Sequence, residues 1–325
     1  MCANTSRIRC NPSRGAALLL ALSVLALFMF MGTVYIRFMS LEVEISEVRE
    51  RQHRAQMTAE AGFQIAVGEI LQARSKGETI QLDLPRIYAL PVYTGMQTAA
   101  EGVEATLEPR RRAAVTVTIE DENARLNLNH TPPRVLQRAL GIDRVIAQAI
   151  YQGLPSNDAE GAWYLRPDDL VARGIVSEEE YQNLDLSRVS TINVPNPAQP
   201  EPHLNLNSVP EDILAAVLDL SEAEAAALAR RRPFETEADF FTAVNKPAVA
   251  FAYPPEALSS TMALPPAFIL ESRCYRIRAE ASFSVVDPEN PGQPRQRFAG
   301  RVEAVIQLDD SEKGYQVLYW NTRRD

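Results

Sequence analysis

The first pattern along the chain is an apolar run over 16–36, 21 residues without a charge. At ~1.5 Å per residue, a helix of that length covers roughly 30 Å, the thickness of a bilayer core. The run continues without a break. Leu41, Ile45, Val48, Gln52, Ala55, Ala59, Phe63, Ala66 and Ile70 follow at three- and four-residue steps, with Glu42, Glu47, Glu50 and Arg54 mostly on other faces. No proline falls between Ala16 and Lys76, so one helix is predicted over 16–76, with 16–36 in a membrane and 37–76 outside it.

Residues 77–102, with Pro85 and Pro91, read as irregular. Val115, Val117 and Ile119 then alternate with Thr116 and Thr118, the period-two mark of a half-buried strand. From Ser272 the alternation returns, with Tyr275, Ile277, Ala279, Ala281, Phe283 and Val285 against Arg276, Arg278, Glu280, Ser282 and Ser284. Strands over 298–308 and 315–320 complete an antiparallel meander, predicted to cover the stripe on the C-terminal half of the long helix. The fold class is α+β: a long N-terminal helix packed on a small antiparallel sheet, with a large all-helical domain inserted after the first strand. Segments 77–120 and 272–325 supply the α/β body, and 121–271 the insert.

Within the insert the chain repeats itself. A shift of 78 lays Leu126-Asn127-Leu128-Asn129 on Leu204-Asn205-Leu206-Asn207, Pro132 on Pro210, Leu136 on Leu214, Leu140 on Leu218 and Ala147 on Ala225. No gap is needed over 126–150 and 204–228, and the matched apolar positions keep helical spacing. Each copy reads as an Asn-rich loop, a helix, a turn and a second helix. Thr131 and Ser208 are candidate caps of the first helix, Asp143 and Ser221 of the second. Asn127, Asn129, Asn205 and Asn207 alternate with leucines, so their amides are expected to satisfy loop backbone while the leucines bury. A Pro-rich linker over 194–202 separates the two lobes.

Composition narrows the chemistry. The net charge is −9, and 121–271 alone carries 22 acids against 11 bases, which argues against a protein that wraps nucleic acid. Only His53, His130 and His203 are available, no G-x-x-x-x-G-K motif occurs, and no Ser/His/Asp or Cys/His set stands out; no enzyme activity is expected. Cys274 is the sole cysteine beyond the apolar run, so the body must stabilise itself by core burial. No cofactor is expected. Glu120, Asp121 and Glu122 with Asn123 offer hard oxygens for calcium, although their spacing fits no EF-hand loop.

Ahead of the apolar run, residues 1–15 carry Arg7, Arg9 and Arg14 and no acid. That bias keeps the short N-terminus cytoplasmic and sends the body across the membrane. A secretory signal peptide or a plain signal-anchor would share the apolar run but not the helical stripe that continues beyond it.

Arg14-Gly15 followed by Ala16-Ala17-Leu18-Leu19-Leu20 resembles a type IV prepilin leader. The resemblance implies cleavage between Gly15 and Ala16 by a prepilin peptidase and N-methylation of Ala16. Most such proteins carry glutamate at the fifth mature position, which here is Leu20. The general secretion pathway protein K family, the tip subunit of type II secretion, is similar in lacking it. Asp121-Glu122 with Asn127-Leu128-Asn129, the second N-L-N at Asn205–Asn207 and the R-R-P-F-x-T-x-x-D-F run over 231–240 also resemble that family. The resemblance implies a minor pseudopilin of the inner membrane, single-pass, with its body in the periplasm. Its partners would be other minor pseudopilins, the major pseudopilin, the peptidase, the inner-membrane assembly platform and membrane lipid, with no nucleic acid. The repeats are also similar to helix-hairpin-helix modules. Two other readings therefore stay open: a membrane-tethered DNA-binding or competence protein, and a minor pilin of a type IV pilus.

Overall fold

A computed structural model describes residues 12–78, 80, 82–91, 112–154, 164–192, 203–244, 267–286, 294–309 and 314–324. The linker at 194–202 and the 92–102 part of the irregular stretch lie outside the described residues. The chain divides into two units, Met1–Arg54 and Ala55–Asp325.

Helix α1 (Pro12–Lys76) is continuous, as its unbroken periodicity predicts. In the first unit its apolar side chains, among them Leu20, Phe28, Phe30 and Ile36, are exposed. The helix is long and apolar enough to cross a membrane, with a mean hydropathy of 2.3 in its most apolar window. Leu41 and Ile45 are exposed as well; the stripe is covered only from Ala55 onward.

In the second unit, Ala59, Phe63, Ala66 and Ile70 pack on a five-stranded sheet. The sheet contains β1 (Arg86–Pro91), β2 (Arg112–Asp121), β7 (Cys274–Val286), β8 (Pro294–Leu308) and β9 (Tyr315–Arg324), in the order β1-β2-β7-β8-β9. Val115, Val117 and Ile119 meet Ile277, Ala279, Val302 and Ala304 in the shared core, and Trp320 sets its ring edge-on to Phe63 at 4.9 Å. Two glycines permit this closeness. A Cβ at Gly62 would stand 2.5 Å from a Val115 methyl, and one at Gly300 would stand 2.4 Å from the Ala55 backbone.

Strand β1 corrects the irregular reading of 86–91. It pairs antiparallel with β2, Arg86 opposite Val117 and Leu90 opposite Ala113. The prolines that bracket it are tolerated at an edge, and the Arg86 guanidinium and Tyr88 hydroxyl both donate to the Glu69 carboxylate on α1. The insert therefore follows the second strand in chain order.

Strands β2 and β7 pair directly, from Ala114 opposite Ser282 to Asp121 opposite Tyr275. The whole insert is thus an excursion between two hydrogen-bonded neighbours. It contains α2 (Pro133–Leu140), α3 (Arg144–Gln152), α4 (Asp169–Ala172), α5 (Glu178–Gln182), α6 (Glu211–Leu218), α7 (Glu222–Ala229) and α8 (Glu237–Val244). Besides helices it holds two short parallel ladders that the reading did not foresee: β3 (Leu126–Asn127) with β4 (Val189–Ser190), and β5 (His203–Asn205) with β6 (Ala267–Ile269). One strand of each ladder ends on the first asparagine of an N-L-N segment, Asn127 or Asn205. Leu126, Leu128, Leu136 and Ile150 share one core with Leu204, Leu206, Leu214 and Leu228, so the two copies bury equivalent positions.

Candidate functional site

The polar residues singled out in the sequence gather where the insert joins the sheet. Asp121 ends β2 and caps a short 3-10 turn at Glu122–Ala124, its Oδ1 accepting from the Asn123 amide at 2.8 Å. Its Oδ2 accepts from Asn205 Nδ2 at 2.9 Å and from the Ser208 and Ser272 hydroxyls. The next carboxylate, Glu122, is fully buried. It accepts two bonds from the Arg276 guanidinium, at 2.8 and 2.7 Å, and one from the Ser190 hydroxyl. Asn123 completes the junction: its Oδ1 accepts from the Arg273 and Cys274 amides at 3.0 and 2.9 Å. Three consecutive side chains thus tie the exit of β2 to the entry of β7 and to both lobes.

The electrostatics of the two acids are opposite. Burial raises the Asp121 pKa, and its neutral donors only partly offset that. Burial would also raise Glu122, but the hydrogen bonds and charge of Arg276, then Arg125, outweigh it and hold the carboxyl below its ordinary value. Burial alone would lower Arg276; Glu122, then Glu303, raise it instead. Cys274 is buried and free, and burial, then Glu122 and Asp121, push its thiol well up, which suits an inert core residue.

The calcium candidates point to separate protein partners. Glu120 pairs with Arg125 and Arg278, Glu122 with Arg276, and Asp121 with amides and hydroxyls. Among the described residues, no three His, Cys, Asp or Glu side chains gather as a metal-binding set.

The four repeat asparagines satisfy backbone groups. Asn127 and Asn205 accept from the amides two residues on, each at 2.9 Å. Asn129 brackets Tyr164, accepting from its amide at 2.9 Å and donating to its carbonyl at 3.0 Å. Asn207 does the same for Phe234 at 2.8 and 3.1 Å, and donates to the Leu270 carbonyl. The cap assignments need correcting. Pro132 and Pro210 occupy the cap positions of α2 and α6, because the Thr131 hydroxyl turns back to the Asn127 carbonyl and Ser208 is drawn to Asp121. Asp143 stands at the cap of α3 without a side-chain bond, whereas Ser221 forms a full capping box with Glu224 on α7.

At the hairpin turns, Gly141 and Asp219 occupy matching left-handed positions, φ 63° and 52°. Asp219 sets a carboxylate where a phosphate-gripping hairpin would offer bare amides, and Arg134 and Arg138 of the first lobe pair with it. Gly15 and Ala16 lie on the helical backbone of α1, and Leu20 is exposed.

Sequence reading missed Arg276, Ser190 and Ser272. Arg276 carried a signal, alternating with buried strand residues, but its partner lies 154 positions away. The arrangement contains no activated nucleophile. Chemically it fixes one domain on another, through charge-assisted buried bonds.

The body is a pilin-like fold in general terms, a long apolar N-terminal helix packed on a small antiparallel sheet. No protein-family model matches the chain, and no curated protein matches it either.

Proposed function

We propose that the chain is a minor pseudopilin of the general secretion pathway protein K type, which starts and caps the pseudopilus of a type II secretion system. The observation that carries this reading is the helical domain inserted between the adjacent strands β2 and β7 of a pilin-like body. A fibre subunit must admit the subunit above it, and a domain of about 150 residues fastened to the sheet blocks that contact. Leu20 supports the same reading. A carboxylate in the bilayer is expensive without a partner, and a subunit with nothing above it gains no partner amine.

Under this reading the leader is removed after Gly15, Ala16 becomes the methylated N-terminus, and Arg7, Arg9 and Arg14 keep the leader cytoplasmic. The body stands in the periplasm, the pseudopilins and the assembly platform are its partners, and energy comes from a partner ATPase. The protein performs no reaction of its own.

Two measurements test this. N-terminal sequencing of the membrane form should begin at Ala16; a start near residue 40 removes the pilin reading. Immunogold labelling should mark fibre ends only, and labels spaced along the shaft overturn the cap.

A further inference from the structure

Between the first lobe and the sheet face turned away from α1 lies a cleft of about 370 Å³, within the ~300–1,000 Å³ range of ligand sites. Its floor is the outward set of β7, β8 and β9, in which Arg278 stands opposite Glu303 and Glu303 opposite Asn321. Arg276, Arg301 and Tyr319 complete that floor. One wall comes from the first lobe: Leu165, Arg166, Pro167 and Ile192.

The charge here runs against the rest of the molecule. The chain carries −9, yet five arginines and only two carboxylates, Asp168 and Glu303, line the cleft. Both acids are engaged, Asp168 by the Tyr181 hydroxyl and Glu303 by Arg276 and Arg278. Glu120 and Glu122, outside the lining, pair with Arg125 and Arg278 and with Arg276. Three guanidiniums keep open donors. Arg278 uses Nε and Nη1, leaving Nη2 without a partner among the described residues. Arg301 spends only Nε, on the exposed Glu280 at 2.8 Å, a pair worth little in water. The Arg166 guanidinium has no partner among the described residues, and neither do the Tyr319 hydroxyl and the Asn321 amide. Beside Arg166 stands Leu165, 75% exposed.

We infer that this cleft binds an acidic segment of a partner protein. Its carboxylates meet Arg166, Arg278 and Arg301, an adjacent aliphatic side chain lies against Leu165 and Ile192, and Tyr319 and Asn321 hold its backbone. Guanidinium forks match carboxylates in plane and charge. A bare phosphate would leave the apolar wall and the backbone-type partners unused. The cleft belongs to the folded body and does not depend on a place in a fibre.

The test uses the full chain in detergent micelles and fluorescence anisotropy. One fluorescein-labelled peptide has glutamates around a single leucine and an amidated end; a second replaces the glutamates with glutamines and keeps a free terminal carboxylate. Arg166→Ala with Arg301→Ala, the first at an exposed and the second at a half-buried position, should leave the melting temperature unchanged and weaken the acidic peptide at least ~10-fold. Arg230→Ala with Arg231→Ala removes the same charge elsewhere and should change binding less than about twofold. If the glutamine peptide binds equally and loses affinity in the cleft variant, the carboxylate site stands and its source is a chain terminus. Absence of binding, or equal losses in the two double variants, overturns the site. Displacement of the acidic peptide by oligo-dT at a lower concentration than by unlabelled peptide would overturn the peptide assignment in favour of nucleic acid.

Discussion

In the first copy of the repeat, Asn129 brackets Tyr164 and reaches the Thr191 carbonyl; in the second, Asn207 brackets Phe234 and reaches that of Leu270. In each copy a short parallel ladder leads into the N-L-N segment, and each copy closes with the same pair of helices. The copies differ where they meet the sheet. Ser190 fastens the first to Glu122, a buried carboxylate neutralised by Arg276. Asn205 and Ser208 fasten the second to Asp121, a buried carboxylate with only uncharged donors. The contrast separates two demands on a duplicated unit. Internal packing tolerates duplication, whereas anchoring requires each copy to find its own partner on an asymmetric sheet.

The comparison can be broken at several points. Glu122→Gln leaves the buried Arg276 charge short of its partner and should cost about 3–5 kcal/mol at neutral pH, read by chemical denaturation. Leu136→Ala and Leu214→Ala should each cost about 2–5 kcal/mol, since both side chains are fully buried at matching positions; melts that match the parent for both would dissolve the repeat. Asn129→Ala and Asn207→Ala should each cost about 1–3 kcal/mol by stranding buried backbone groups, and a large gap between them would mean that the clamps are not equivalent.

The smallest effect is Asp121→Asn, about 1 kcal/mol at neutral pH, and its value lies in the sign of its pH dependence. Asp121 has a folded pKa above the unfolded one, so its ionisation subtracts stability as pH rises from about 4 through the raised value. Glu122 has a lowered folded pKa, so its contribution is present above its unfolded value and lost as pH falls through the folded one. Relative to the parent, the Asp121→Asn melting temperature should climb with pH across the acid range. That of Glu122→Gln should fall. Parallel curves would mean that the two anchors are electrostatically alike.

Much of this fold was legible because it rests on local periodicity. The α1 stripe, the alternation in β2 and β7 and the 78-residue shift all follow from the spacing of apolar residues. Strand β1 was hidden by Pro85 and Pro91, since its place depends on an edge and on Glu69 rather than on its own pattern. The helix caps were misplaced because Thr131 and Ser208 have better partners than the helix ends they precede. The roles of the asparagines were readable from residue type, but the distant partners of Asp121 and Glu122 were not: Ser190, Asn205, Ser208, Ser272 and Arg276 lie 68 to 154 positions away, beyond any local rule.

The direct pairing of Asp121 with Tyr275 also bears on how the chain folds. An ordinary hairpin brings its strands together over a few residues, whereas β2 and β7 must meet across about 150. Against a four-residue turn, closing so long a loop from an unfolded chain adds about 3 kcal/mol of entropic cost. If the intervening domain collapses first, its own core already holds the two ends near each other, and closure becomes local. Folding should therefore run from the inside of the sequence outward, with the sheet zipping last around a domain that has already set its register.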